Sequence, residues 1–402
     1  MKTEKLYPEC KDNLWGGTKL IEKYGKQTSK RPCAESWEIS FHENGLTRLA
    51  DGRTLKEAAT QEDLGANAAQ FERFPLLAKF IDASQDLSVQ VHPTDFYALR
   101  DYNSYGKTEM WYVAEAEEGA GIYLGFNRDV TAEECERAIR EKTLASLLRF
   151  YPVKKGEHYF VPAGTVHAIC AGCLIFEIQQ NCDLTYRLYD YGRKDKNGKE
   201  RELHVEKALE TARLKAGDKI AFRAAVNEGE RIGISRYFTL THAKIQGERE
   251  FSTDPASFRA ITCVSGEGNI DGNAMRRGDT FFVPATRGAF TVSGDAEILI
   301  SEVRRYRIYY RQKQSVGEAE RGEITLYDDL NNRLTSTEFQ NGQSGSAAAF
   351  LSALNGVLSQ TGTTYYDIAS ICVEQDTYKK CGEDFISAVF KTTGITLRKQ
   401  SV

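Results

Sequence analysis

The 402-residue chain has no apolar run long enough to cross a bilayer, and its polar start, MKTEKLYPECKDNLWGG, contains no apolar signal segment. A cytoplasmic location without membrane contact is therefore expected. Charge of one sign is lacking as well. With 53 basic and 57 acidic side chains and a net charge of −4, there is no general field to attract nucleic acid or anionic lipid. No GxGxxG or GxxxxGK[ST] sequence occurs, so nucleotide folds and ATP chemistry have no support. Nine cysteines at irregular spacing fit reduced thiols, and Cys170-x2-Cys173 has no second CxxC to complete a metal site. It reads as a pair of sheet-core thiols.

What the chain does have is length and apolar content, 41% of its residues, enough to bury two or three cores. The most informative stretch runs from Ser88 to Arg187. In Ser88-Val89-Gln90-Val91-His92-Pro93, strand alternation puts Ser88, Gln90 and His92 on one face and the two valines on the other. Glu109, His167 and Glu177 then appear inside apolar, strand-like runs, as does Lys79 within Pro75 to Ile81. Buried carboxylates and imidazoles need partners. One divalent cation would explain several at once, with zinc favoured and Fe, Mn, Co or Ni also compatible with such donors. Ordinary buried, hydrogen-bonded side chains explain the same pattern equally well. Further on, alternation aims Thr185, Arg187 and Tyr189 to one side, where Arg187 is either a structural ion-pair partner or a fork for a hydroxylated or phosphorylated ligand.

A helix is predicted over Thr131 to Phe150, opened by the capping box Thr131-x-x-Glu134 and inserted among the strands. An internal repeat follows. Lys155-Gly156-Glu157-His158-Tyr159-Phe160-Val161-Pro162-Ala163 matches Arg277-Gly278-Asp279-Thr280-Phe281-Phe282-Val283-Pro284-Ala285 at an offset of 122 residues. The pattern resembles a duplicated small β-barrel or sandwich, as in bicupins. The same offset carries His158 onto Thr280 and His167 onto Ala289, so a single metal site is expected, in the first copy.

The motifs WGG, LSVQVHP, KTEMWYV, FVPAGTVHAI, IFEIQQN and TYRLYDYGR, in this order, resemble the type I mannose-6-phosphate isomerases, in particular their compact bacterial branch, over roughly residues 1 to 305. The resemblance implies a metal held by Gln90, His92, Glu109 and His167, an active-site arginine at Arg187 and a pocket acid at Glu177. Basic pocket positions fall on Lys107 and Lys79, and a small hydroxyl position on Ser88. The implied reaction interconverts D-mannose 6-phosphate and D-fructose 6-phosphate through an enediol. Glu177 is the preferred proton carrier and Lys107 the runner-up, while Lys79 and Ser88 are assigned to the substrate's phosphate end. Two other readings stand beside it: a related cupin enzyme acting on another sugar phosphate, and a non-catalytic carbohydrate-sensing cupin.

The fold expected is mainly β, a duplicated cupin-like barrel or sandwich with an inserted helical segment at 131–150 and a C-terminal extension of uncertain fold. The expected division is a catalytic region at 1–215, a degenerate second module at 216–311 and an accessory or packing region at 312–402. Arg304-Arg305-Tyr306-Arg307 is expected either to close the second barrel or to mark its boundary, and the stretch 341–346 to form a linker. The partner expected is a small phosphorylated sugar, with no nucleic acid or membrane, and nothing in the sequence names a protein partner.

Overall fold

The computed structural model describes residues 1–194, 198–216, 222–223, 231–235, 237–303, 306–313, 321–327, 333–340, 347–361, 368–393, 395 and 397–399. It divides into two compact units. The first comprises Met1–Gly233 and Leu240–Glu302, and the second Ile234–Thr239 and Val303–Val402.

In the first unit a five-stranded sheet runs Tyr186–Tyr189, Val89–Val91, His167–Ile169, Gly121–Phe126 and Leu148–Pro152. A seven-stranded sheet runs Phe222–Arg223, His158–Val161, Glu109–Ala116, Cys173–Gln180, Leu76–Asp82, Glu35–Ile39 and Glu9–Lys11. Ile122, Leu124 and Ile169 from the first meet Ile81, Trp111, Val113 and Ile175 from the second in one buried cluster, so the sheets face each other. Strands covered on both faces can bury every residue, as in Leu76–Asp82, where all seven are buried. Lys79 shares the inward parity of Ile81, whereas Asp82 takes the opposite face, where its carboxylate accepts from Lys19 N at 2.8 Å.

The repeat is a structural one. His158–Val161 and Thr280–Val283 are both strands, displaced by the offset of 122 residues. Each is entered through a glycine in the left-handed region, Gly156 at φ +89° and Gly278 at φ +91°, which is why both copies carry glycine between a basic and an acidic residue. His167 opens one strand and Ala289 opens its counterpart. In the second copy Thr280 lies 3.0 Å from the Thr262 hydroxyl and donates to Glu38 Oε2 at 2.9 Å. That module's sheet runs Glu4–Leu6, Thr280–Val283, Arg259–Ile270, Ala289–Glu302 and Thr239–Ser252, so the chain's first strand is spent on the second copy.

The inserted segment holds a shorter helix than the spacing predicts. Thr131 Oγ1 accepts from Glu134 N at 3.2 Å, and the Glu134 carboxylate accepts from Thr131 N at 2.9 Å, closing the capping box. The helix ends at Arg140, a single 3-10 turn covers Leu144–Leu147, and Leu148–Pro152 is already a strand paired with Gly121–Phe126. Edge pairing overrides the helical pattern of Leu144, Leu147 and Leu148.

The second unit has a core of its own. Its sheet runs Arg333–Gln340, Arg321–Tyr327, Tyr306–Lys313, Ile368–Val373 and Leu397–Lys399, antiparallel over the first three strands and parallel over the last three. Parallel neighbours need a crossover, and the helices Ala347–Thr361 and Glu383–Thr393 lie in the two connections. Phe350, Leu354, Leu358 and Val389 on these helices pack with Tyr310, Ile324, Leu326 and Ile371 on the sheet. The boundary expected after residue 311 falls inside the strand Tyr306–Lys313, whereas the first unit ends at Glu302. Of the segment 304–307, Tyr306 and Arg307 open the strand Tyr306–Lys313, while residues 304–305 and the linker expected at 341–346 lie outside the described residues. No helix among the described residues is long and apolar enough to cross a membrane.

Candidate metal centre and active site

Three adjacent strands of the five-stranded sheet bring Gln90, His167 and Arg187 level. Gln90 is the register partner of both His167 and Arg187, and directly opposed residues project to the same side. His92 follows at the end of its strand. From the facing sheet come Glu109, Glu177 and Lys79, with Glu177 in register with Lys79 on one side and Trp111 on the other.

His92, Glu109 and His167 are fully buried and offer ligand atoms that all lie within 4.8 Å of one another. Backbone carbonyls fix both imidazoles. His92 Nδ1–H donates to Leu184 O at 2.9 Å and His167 Nδ1–H to Thr165 O at 2.8 Å, which leaves each Nε2 lone pair turned inward. Burial first, then the Lys107 charge, holds His92 well below the usual imidazole range, and burial brings His167 down to about 4. Both rings are neutral at pH 7, as ligation requires. Glu109 Oε1 lies 3.3 Å from His167 Nε2 without a hydrogen-bond partner, and Oε2 lies 3.4 Å from His92 Nε2 with the Lys107 ammonium beside it. Gln90 reaches the same place, its Nε2 3.4 Å from His167 Nε2, while its Oε1 accepts from Ser88 Oγ at 3.3 Å.

Lysines and carboxylates alternate outward from this point. Lys107 Nζ stands 2.7 Å from Glu109 Oε2 and 3.5 Å from Glu177 Oε1; Lys79 Nζ stands 3.3 Å from Glu177 Oε1 and 3.1 Å from Glu35 Oε2. The far end is closed by neutral donors, with Asn13 Nδ2 and Trp37 Nε1 each 2.8 Å from Glu35. Trp111 Nε1 donates to Glu177 Oε2 at 2.7 Å. Burial opposes the charge on Glu177, but Lys107 and Lys79 outweigh it and hold the carboxyl well below its usual range. Burial likewise opposes the charge on Lys79, and Glu177 and Glu35 more than restore it. Three carboxylates share two ammoniums, so one negative charge is in excess. It falls on Glu109, which burial and the neighbouring Glu177 push up to about 7. Two neutral imidazoles beside a buried carboxylate with one oxygen unpartnered, in a line of charge one cation short, fit a divalent metal.

The residues expected from the sequence thus fall in two groups. Gln90, His92, Glu109, His167, Lys107, Glu177 and Lys79 form one continuous contact network, with Ser88 attached through Gln90. Arg187 shares the face of Gln90 and His167, but its guanidinium turns to Glu202, where Nη1 donates to the backbone oxygen at 3.1 Å. The acid nearest it in sequence, Asp190, is taken by Arg193 and by Arg201, whose Nε donates to it at 2.7 Å. Arg187 Nε is buried without a hydrogen-bond partner. Sequence reasoning missed Glu35, Trp37 and Trp111. The available signal was Glu35 and Trp37 at alternate positions of one strand, the same spacing that singled out Gln90 and His92.

Comparison with known proteins identifies the family. Residues 4–138 match the family model for the catalytic domain of type I phosphomannose isomerase, and residues 230–303 that for the cupin domain of mannose-6-phosphate isomerase. A probable mannose-6-phosphate isomerase of Bacillus subtilis, GmuF, is 37% identical over 309 residues, 74% of this chain and 98% of its own. The mannose-6-phosphate isomerase ManA of the same organism is 36% identical, over 75% of this chain and all of its own. The crystal structure of a mannose 6-phosphate isomerase from Bacillus subtilis superposes with a TM-score of 0.66 at 34% identity, covering 75% of this chain and 99% of that one. With identity above one third over essentially the whole length of these relatives, the chain belongs to the type I mannose-6-phosphate isomerases.

Proposed function

We propose how this chain's residues carry out the reversible, metal-dependent conversion of D-mannose 6-phosphate to D-fructose 6-phosphate, the reaction of the family to which it belongs. In this reading the ion is zinc, held by Gln90, His92, Glu109 and His167. When bound it would polarise the oxygens at the C1–C2 end of the open-chain sugar.

The remaining steps fall to side chains. Isomerisation removes the proton from C2 of the aldose, passes through an enediol and returns a proton at C1. Glu177 is ionised and shielded from water, so it can accept that proton and keep it until redelivery. Each of its lysine neighbours lowers its basicity, and an anionic substrate that engages Lys79 relieves part of that hold. Lys107, shared between Glu177 and Glu109, is positioned to move a proton on the substrate oxygens. Arg187, whose Nε is buried without a hydrogen-bond partner and whose strand lies level with Gln90, serves the developing enediolate charge once its guanidinium turns from Glu202. Lys79 and Ser88 serve the phosphate end. Lys79 must then loosen its contact with Glu35 or Glu177, and Ser88 its bond to Gln90.

The observation that carries this reading is the buried line Glu35, Lys79, Glu177, Lys107, Glu109, which ends on two neutral imidazoles. A pocket that only sensed sugar would have no use for so costly a row of desolvated charges. The test is hydrogen exchange from mannose 6-phosphate deuterated at C2. Glu177→Gln should lower kcat by about a hundredfold or more and suppress exchange while the metal stays bound. Near-normal exchange would move the proton-carrying role to Lys107. Metal analysis of the purified protein tests zinc.

A further inference from the structure

Between His92 and Lys107 the chain leaves the site, forms the helix Asp95–Tyr102 and returns. The way this excursion is closed bears on the chemistry, because one end is a metal-ligand candidate and the other is the lysine that joins Glu109 to Glu177. At its neck Lys107 N donates to Pro93 O at 3.0 Å and Gly106 N donates to Asp95 Oδ1 at 2.8 Å. No side chain fits at Gly106, since a Cβ there would stand 2.5 Å from Asp95 N and 2.7 Å from Pro93 O.

The clasp is fastened from outside the excursion by one buried amide. Gln180, at the end of the strand that carries Glu177, donates through Nε2 to Asp95 Oδ1 at 2.9 Å and accepts through Oε1 from Thr108 N at 2.8 Å. Its backbone N–H also donates to Thr108 O, at 3.1 Å. A single carboxylate oxygen thus gathers the donors flanking one side of Lys107, and the same glutamine binds the residue on the other side. The ammonium at the tip of this fixed backbone meets His92 Nε2 at 3.0 Å, Glu109 at 2.7 Å and Glu177 at 3.5 Å.

We propose that Gln180 and Asp95 are positioning residues for the isomerisation, acting together as a clasp that sets where the Lys107 ammonium stands between Glu109 and Glu177. The inference rests on Lys107 taking part in proton movement. Neither residue touches the substrate; they act through the backbone of residues 106–108. A long, flexible lysine placed by a rigid backbone can be offset by about an ångström when one anchor is cut, and such offsets cost up to about a hundredfold in rate.

The experiment measures kcat per bound metal ion, together with KM, for Gln180→Met, Asp95→Ala, their double variant and Lys107→Met. Asp95→Ala cuts the clasp from the partly exposed helix, so it reports even if Gln180→Met fails to fold. Each single clasp variant should lose about tenfold or more in kcat per metal, with KM within about threefold. The double variant should be no worse than the poorer single, because both cut the same connection. Single variants with kcat per metal within about twofold of wild type would overturn the proposal, as would a double variant that loses the product of the two single factors. A Lys107→Met enzyme with normal kcat would instead overturn the role given to Lys107, and that of the clasp with it.

Discussion

Gly156 and Gly278 stand 122 residues apart and share one backbone conformation, φ +89° and +91°, at the entry to equivalent strands. Their surroundings differ. A Cβ on Gly156 would meet nothing within 4 Å, whereas one on Gly278 would come 2.3 Å from the carbonyl oxygen of Tyr24. Gly156→Ala should therefore cost only the left-handed backbone penalty, about 1 to 2 kcal/mol. Gly278→Ala must also displace the chain at Tyr24 and should cost distinctly more. Denaturant unfolding of the two variants checks the order; equal losses would mean that the second turn shifts freely.

The duplication was legible because it depends on local chemistry: a glycine that only φ > 0 explains, and aromatic strands ended by Pro-Ala. The candidate metal ligands stood out in the sequence for a similar reason. Gln90 and His92 betray themselves by alternation, and Glu109 and His167 by polarity inside apolar runs. The charges that tune the site were not legible. Lys79 meets Glu35 and Glu177 only because Leu76–Asp82 lies between the strands that carry them, and strand order is set by the packing of the whole sheet. Arg187 shows the same limit. Its sequence suggested nearby acids as partners, but Arg193 and Arg201 reach Asp190 first. The tail's parallel sheet escaped because a crossover helix interrupts the strand pattern.

The state of Glu109 sets how metal uptake depends on pH. In the metal-free protein its carboxyl is raised to about 7, so it is mostly protonated at pH 6 and mostly ionised at pH 8. His167, lowered to about 4, is neutral at either pH and keeps only its Nδ1 proton, and His92 lies well below the usual imidazole range. Binding a cation to the carboxylate should therefore release about one proton at pH 6 and few at pH 8. Affinity should weaken as pH falls below 7. Zinc titrations by calorimetry in two buffers of different ionisation enthalpy measure the proton count directly. A count near zero at pH 6 would mean that Glu109 is already ionised without metal.

His167→Ala removes a ligand candidate at the position where the second copy naturally carries Ala289. The strand pairings of His167 with Gln90 and Leu124 use backbone groups and survive the change. The variant should stay folded, lose most bound metal and lose at least about a hundredfold in turnover. Circular dichroism, metal stoichiometry and mannose 6-phosphate turnover on the same preparation decide. Full metal retention with normal turnover would remove His167 from the ligand set.

The second unit's independence follows from where its apolar contacts lie. Its buried cluster draws every member from Tyr310 to Leu397, while the clusters of the first unit draw theirs from residues up to Ile300. No member of one belongs to the other, and the candidate site from Glu35 to Arg187 lies wholly in the first unit. Separate cores predict separate cooperative transitions. A chain ending at Val303 should therefore fold, bind metal and turn over mannose 6-phosphate with kcat within about twofold of the full chain, since the site contacts among the described residues all lie within the first unit. A cut at Arg311 should behave less well. It would leave most of the strand Tyr306–Lys313 without the neighbours Arg321–Tyr327 and Ile368–Val373 that pair it on both edges, an open template for aggregation. Calorimetry of the full chain against the two truncations, with turnover measured on each, checks both statements. If the chain ending at Val303 loses its unfolding transition or its turnover, the tail is part of the catalytic structure despite its separate core.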